Sequence, residues 1–238
     1  MSKLLLIRHA QASFLSKDYD NLSEKGLEQS TILGEYLADT GASFDAIYVG
    51  TLRRQQQTYQ QVKAVYQSKG LSIPEAIILK ELNEYEGMST MKEVKAQLMA
   101  HHPQFKVWFE EMEVQASHKT KMKMTVAYLH KWATDTLGFD LPAGSQTWAN
   151  FQDTAQLGLK KMIAGNEKGK SIAAFSSGGC IAAMLSKIVG TDDPGKAMGF
   201  NLVMLNTAIS EILFSGNRLS MKTFNTLPHL QEEMITTM

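Results

Sequence analysis

The sequence predicts an α/β protein: a three-layer sandwich with a mostly parallel central sheet, helices on both of its faces and a helical insertion. Two observations predict it. Short β-branched and aliphatic runs alternate with helical patterns, the arrangement that covers both faces of a parallel sheet. One long interval, Met88 to Leu141, is rich in Lys, Met and Glu and carries no convincing strand. It reads as helices added to that frame, so residues 1–238 are taken as a single domain with an insertion over approximately 88–141.

The elements follow in order. The first strand is Leu4–Arg8, an apolar run ending on a charged and a titratable residue. Ser23 caps the next helix, with Leu27, Leu33 and Leu37 along one face. Ala46–Val49 is a strand, Leu52–Tyr66 a helix and Ile77–Leu79 a strand. Within the insertion, which is expected over one edge of the sheet, Val94, Leu98, Phe105, Trp108, Phe109 and Met112 should pack on the core. Lys119, Lys121 and Lys123 form a solvated helix face. Ala155–Ile163 is a helix, Ser171–Ser176 a strand and Gly179–Val189 a helix. Strands Ile209–Phe214 and Leu219–Phe224 flank Ser215-Gly216-Asn217-Arg218, a hairpin turn because Gly and Asn tolerate positive φ. The tail from Thr226 to Met238 carries no pattern that places it.

Composition bounds the function. The chain has 238 residues, 44% of them apolar, and 24 basic residues balance 24 acidic ones. No net field points to nucleic acid or to a membrane surface. A single cysteine, Cys180, allows no internal disulfide and fits a reducing cytoplasm. No apolar run approaches a membrane span, and the first is shorter than a secretory signal needs. The expected partner is a small molecule, and oligomeric state is not encoded legibly.

In open α/β sheets, ligands bind beyond the carboxyl ends of the strands. Arg8, His9 and Gln11 follow the first strand, Arg53 and Arg54 the second, Glu81 and Glu84 the third, and Ser176, Ser177, Gly178 and Gly179 the fourth. The Ser-Gly-Gly turn into a helix suits an anion, because free backbone N–H groups point outward there. Arginine forks match phosphate oxygens in pairs. A neutral imidazole can attack phosphorus, nearby arginines favour that neutral state, and a carboxylic acid can protonate the leaving oxygen. The set reads as phosphoryl transfer through a phosphohistidine. Gln11 and Ser13 either line the pocket mouth or make turn hydrogen bonds only.

These residues carry a resemblance. "LIRHAQAS" is similar to the Arg-His-Gly signature of the histidine phosphatase superfamily, which includes cofactor-dependent phosphoglycerate mutases, with Ala10 where glycine is usual. "YDNLSEKGLEQS" resembles its Leu-Thr-x-x-Gly-x-x-Gln segment. "GTLRRQQQT" resembles Ser-x-Leu-x-Arg-Ala-x-x-Thr, with Gly50 and Gln55 departing. "ELNEYEG" resembles Leu-x-Glu followed by glycine, "AAFSSGGCI" the second-histidine segment Val-Ser-His-Gly-Gly, and "FNTLPHL" the Asn…His-Leu ending. Each is weak alone; together, in order, they cover nearly everything outside the insertion. The resemblance implies that His9 is the nucleophile, that Arg8 and Arg54 bind the phosphoryl group and that Glu84 is the proton donor; Ser177, Gly178, Gln11 and Ser13 are the further substrate-binding candidates by position. It implies no metal and no other cofactor.

One departure bears on rate. The second pocket histidine falls on Ser177, which replaces a charged hydrogen bond by a neutral one. Charged bonds contribute roughly 1.5–3 kcal/mol against roughly 1 for neutral ones. The difference corresponds to about a 5–30-fold loss of rate. The expectation is a phosphatase hydrolysing phosphomonoesters, with reduced activity. The alternatives are a phosphate-ligand binding or regulatory protein and, last, a phosphoglycerate-type mutase. Among the other histidines, His101 and His102 diverge on a helix, His118 and His130 lie in the insertion, and His229 has a structural role.

Competing chemistries lack their residues. A cysteine phosphatase needs Cys-x5-Arg, and Ser186 stands in the arginine's place after Cys180, which reads as a small buried residue. A Gly-x-Ser-x-Gly elbow is absent around Ser177, because Phe175 takes the first glycine's position. There is no Gly-x4-Gly-Lys-Ser/Thr loop and no histidine spacing for a metal. Specificity is expected from the insertion and from residues Gln11 to Lys17.

Overall fold

A computed structural model describes residues 1–13, 20–115, 117–165 and 169–237. Its centre is a six-stranded mixed sheet in the order β3-β2-β4-β1-β5-β6. The strands are β1 (Ser2–Arg8), β2 (Ala46–Val49), β3 (Ala76–Ile78), β4 (Ser171–Ser176), β5 (Ile209–Ser215) and β6 (Arg218–Thr226). β3, β2, β4 and β1 run parallel, and β5 and β6 continue the sheet antiparallel. β1 and β4 are central and apolar on both faces, as strands covered by helices on both sides must be.

Two apolar clusters sandwich the sheet. On one face Leu5, Ile7, Ile47, Val49, Ala173 and Phe175 pack with Leu33 and Leu37 of α1 (Glu24–Asp39) and with Tyr59, Val62 and Tyr66 of α2 (Arg53–Ser68). On the other, Leu4, Leu6, Ile172, Ala174, Ile212 and Phe214 meet α7 (Trp148–Ile163), α8 (Gly178–Ile188) and α9 (Pro194–Val203). The intervening helices α3 (Gly87–Glu93), α4 (Lys95–His101), α5 (Pro103–Val114) and α6 (His118–Ala133) join this second cluster.

Several expectations change. The inserted helices extend the α7–α9 layer, with α6 against α7 and α9. Val94, Leu98 and Phe105 are buried as expected, and Trp108 and Phe109 pack partly buried beside them; Met112 is only half-buried. Leu27 does not line the α1 core face: it is 39% exposed. The third strand lies one residue earlier than its apolar run, and Ile77 and Ile78, at 49% and 52% exposure, sit on the sheet edge. α7 begins at Trp148 rather than Ala155: Thr147 caps it, and Trp148 and Phe151 extend the same buried stripe. α9 was not anticipated, although Asp193 as cap and Pro194 at the first helical position are start signals. Lys119 and Lys123 are exposed on α6, with Lys121 half-exposed. The Gly216-Asn217 turn closes the β5–β6 hairpin, with Ser215 opposite Arg218 and Gly216 at φ 56°.

This arrangement makes a crevice. α1 follows β1 onto one face, whereas α8 follows β4, its neighbour, onto the other. Adjacent parallel strands sending their helices to opposite faces open a gap beyond their carboxyl ends, where open α/β sheets bind ligands. No helix among the described residues is long and apolar enough to cross a membrane.

Candidate active site

His9 stands just beyond the carboxyl end of β1, at that switch point, and is buried. Its N–H extends the ladder by donating to the Ser176 carbonyl (2.8 Å), and its own carbonyl accepts from Asn206 Nδ2 at 3.1 Å and from the Thr207 N–H at 3.4 Å. The ring is fixed as firmly. Nδ1 lies 2.7 Å from the Ala10 carbonyl, which can only accept, so Nδ1 carries the proton. That leaves an unprotonated Nε2, which accepts from Arg54 Nε at 3.1 Å. Burial, then the charges of Arg54 and Arg8, hold the imidazole pKa well below 6.5. Thr58 sets this geometry from α2: its Oγ1 accepts the Ala10 N–H (3.0 Å) and donates to the Arg54 carbonyl (2.7 Å).

Both arginines are buried. Arg54, in the first turn of α2, donates through Nη1 to Asp20 (2.7 Å), which also accepts the Arg53 N–H (2.8 Å). Arg8 donates from Nη1 to the Met204 carbonyl. Its guanidinium passes beside Gly178, where a Cβ would lie 3.4 Å from Nε. Between α8 and the segment after β3, approach is closer still: a Cβ on Gly179 would fall 2.3 Å from both Glu84 Oε1 and Tyr85 Cε1. Only glycine admits the carboxylate there. Glu84 accepts from the Gly179 N–H at 3.1 Å. Burial raises its pKa, opposed by that N–H, by Arg54, by the Tyr85 N–H and by Arg8.

His9, Arg54, Arg8, Gly178 and Glu84 are thus linked by contacts around one crevice. Ser177 lies at the head of α8, next to Gly178, and is fully buried. The other carboxylate after the third strand separates from Glu84: Glu81 pairs with Lys161 (2.7 Å). Gln11 and Ser13 hold the loop after β1. Gln11 Oε1 accepts from Ser23 Oγ (2.8 Å), and Ser13 Oγ donates to the Leu22 carbonyl (3.2 Å). The residues from 14 to Lys17, part of the expected specificity segment, lie outside the described residues. Cys180 is buried, with its thiol pushed up to about 12.

His101, His102 and His229 make their hydrogen bonds elsewhere. His101 Nδ1 meets the Gln97 carbonyl and His102 Nε2 the Leu137 carbonyl. His229 reaches Thr207 Oγ1 at 2.9 Å and so supports the residue that holds the His9 backbone. Burial lowers its pKa to about 4. Sequence reasoning missed Asp20, Thr58, Asn206 and Thr207. Thr58 had a signal, the final threonine of "GTLRRQQQT"; Asp20 had none.

A sandwich that presents a histidine and two arginines at such a switch point defines a class of α/β proteins. The Histidine phosphatase superfamily (branch 1) matches residues 4–123, and the chain belongs to that superfamily. Among curated proteins, the 2,3-bisphosphoglycerate-dependent phosphoglycerate mutase of Azorhizobium caulinodans is 29% identical over 132 residues, 52% of this chain and 63% of that protein. The one from Lactobacillus acidophilus is 40% identical over 81 residues, 32% of this chain and 34% of that protein. These matches span less than two thirds of either relative. Among solved structures, a phosphoserine phosphatase from Entamoeba histolytica in complex with 3-phosphoglyceric acid has a TM-score of 0.64 at 20% identity, covering 97% of this chain and 100% of that one. Bacillus stearothermophilus YhfR has a TM-score of 0.67 at 18% identity, covering 96% and 99%. At these identities the likeness establishes the fold.

Proposed function

We propose that the protein is a phosphomonoesterase that works through phospho-His9, with Ser177 in the place of the family's second pocket histidine. One geometric observation carries the reading: His9 Nδ1 is held against the Ala10 carbonyl while Nε2 faces the Arg54 guanidinium, and burial with two arginines favours the neutral ring. A phosphoryl group entering the crevice takes over the Arg54 Nε–H, and Nε2 attacks phosphorus in line. The bond from phosphorus to the ester oxygen breaks while Glu84 gives its proton to the departing oxygen. Arg8 and Arg54 balance the charge on the equatorial oxygens. Water then attacks the phosphohistidine and loses a proton to Glu84, and the N–P bond breaks to release phosphate. Gly178, Gln11 and Ser13 border this site, and the reaction uses no metal or other cofactor.

The substrate is a small phosphorylated molecule, with neither nucleic acid nor membrane as partner. The buried single cysteine supports a cytoplasmic setting. The histidine phosphatase-like unit is read as one domain over 1–238 with its helical insertion at approximately 88–141. The phosphoglycerate mutase relatives favour a second reading, transfer of the phosphoryl group to another hydroxyl instead of to water.

An aryl phosphate is the direct test. The wild-type chain should turn it over, His9→Ala should abolish turnover, and alkali-quenched enzyme should carry an acid-labile phosphate on His9. Unchanged turnover in His9→Ala overturns the mechanism. A panel containing phosphoserine, α-ribazole phosphate, glucosyl-3-phosphoglycerate and 2,3-bisphosphoglycerate separates hydrolysis from transfer by the release of inorganic phosphate.

A further inference from the structure

Gln55 is fully buried in the first turn of α2. Its Oε1 accepts the Leu52 N–H (3.3 Å), and its Nε2 donates to the Leu82 carbonyl and to Ser177 Oγ, both at 2.8 Å. The orientation of the amide follows from these partners, since a flip would set Oε1 against a carbonyl oxygen. Both Nε2 hydrogens are therefore used, and Ser177 Oγ is an acceptor from Gln55. The hydroxyl keeps a hydrogen of its own. Among the described residues no acceptor takes it, although Ser177 is fully buried. A buried donor without an acceptor is rare and calls for a ligand or water. Ser177 follows the residue whose carbonyl accepts the His9 N–H, and it precedes Gly178, which faces Arg8.

We propose that Gln55 is a positioning residue that holds Ser177 Oγ as an acceptor and so directs the Ser177 O–H to the phosphoryl group. This rests on the His9-centred reading above and deepens it. Gly50 belongs to the same unit. A Cβ there would lie 1.9 Å from Gln55 Oε1 and 2.7 Å from its Cδ, so position 50 has no room for a side chain while Gln55 holds this pose. Gly50, Gln55 and Ser177 are where the chain departs from the resembled Ser, Ala and His. In the structure they form one interlocked cluster. An imidazole at 177 would compete with the carboxamide for the same space, so Ser177→His alone does not restore a histidine pocket.

The test is a double-mutant cycle on the full chain. It is read by aryl phosphate turnover and by the affinity of orthovanadate, measured as protection against thermal unfolding. Ser177→Ala and Gln55→Leu should each lower kcat about tenfold, the scale of one neutral hydrogen bond. Each should weaken vanadate similarly, and the double variant should be no worse than either alone. Ser177→Thr, which keeps the hydroxyl, should retain most of the activity. Effects that multiply in the double variant, or a Ser177→Ala enzyme equal to wild type, overturn the proposal. Should Gln55→Leu fold poorly, a second comparison decides: the Gln55→Ala, Ser177→His pair should exceed Ser177→His in both readouts, and the reverse order sinks the idea. The vanadate cycle needs no turnover, so a failure of His9 as nucleophile shows in the His9→Ala assay and is distinguished from a failure here.

Discussion

Glu84 and His9 belong to the same cluster around Arg8 and Arg54 and are pushed in opposite directions. Burial raises the carboxyl pKa from 4.5, and burial with two arginines lowers the imidazole's from 6.5. The proposed reaction needs Glu84 protonated and His9 neutral. His9 meets its condition at every pH above its depressed value, Glu84 only below its elevated one. The profile of kcat/KM should therefore be flat on the acid side and fall as pH rises through the Glu84 titration. Glu84→Gln should remove that limb. It should also cost alkyl phosphates about 10²–10⁴-fold and aryl phosphates, whose leaving oxygens need little help, much less. Equal losses on both substrates, from steady-state rates, would show that Glu84 does not protonate the leaving group.

At the level of elements, the helices after β3 show a polar group left over by packing. Tyr128 on α6 is fully buried among Leu129, Trp132 and neighbouring apolar residues, and its hydroxyl has no hydrogen-bond partner among the described residues. A buried hydroxyl without a partner costs roughly 1–3 kcal/mol. Tyr128→Phe keeps the ring and removes the penalty, so it should raise stability by about 1 kcal/mol in urea unfolding without changing the m value. A loss of stability would mean that the hydroxyl is satisfied. Elements also differ in how openly their sequences announce them. β1 and β4 read as continuous apolar runs because both faces are covered. β3 misled by one residue because an edge strand need not bury its isoleucines. The start of α7 was missed because its first turns carry Asn150, Gln152 and Asp153 among the apolar residues.

For the whole molecule, stability rests on a sheet shared by two apolar layers. Phe175 of β4 is buried on the α1–α2 side, its ring 5.7 Å from Tyr59 in an edge-on contact. Phe175→Ala should cost about 3–5 kcal/mol in denaturant unfolding, a large part of the 5–15 kcal/mol typical of a domain. A cost under about 1 kcal/mol would mean that the layers collapse to fill the gap. The crevice was legible because strand-end chemistry is local: Arg8 and His9 close one strand, and Ser177 and Gly178 follow another. What joins across the chain was not. Asp20 reaches Arg54 from a loop, Gln55 looked like a simple departure until Ser177 lay beside it, and Thr236 binds Asn206, which holds the His9 carbonyl. The strand order has a temporal corollary. β1 is separated along the chain from both its hydrogen-bonding neighbours, β4 and β5, by most of the intervening elements. Its Leu4–Ile7 run pairs only with these distant segments, so refolding from denaturant should be slowed by long-range pairing, which stopped-flow refolding would measure.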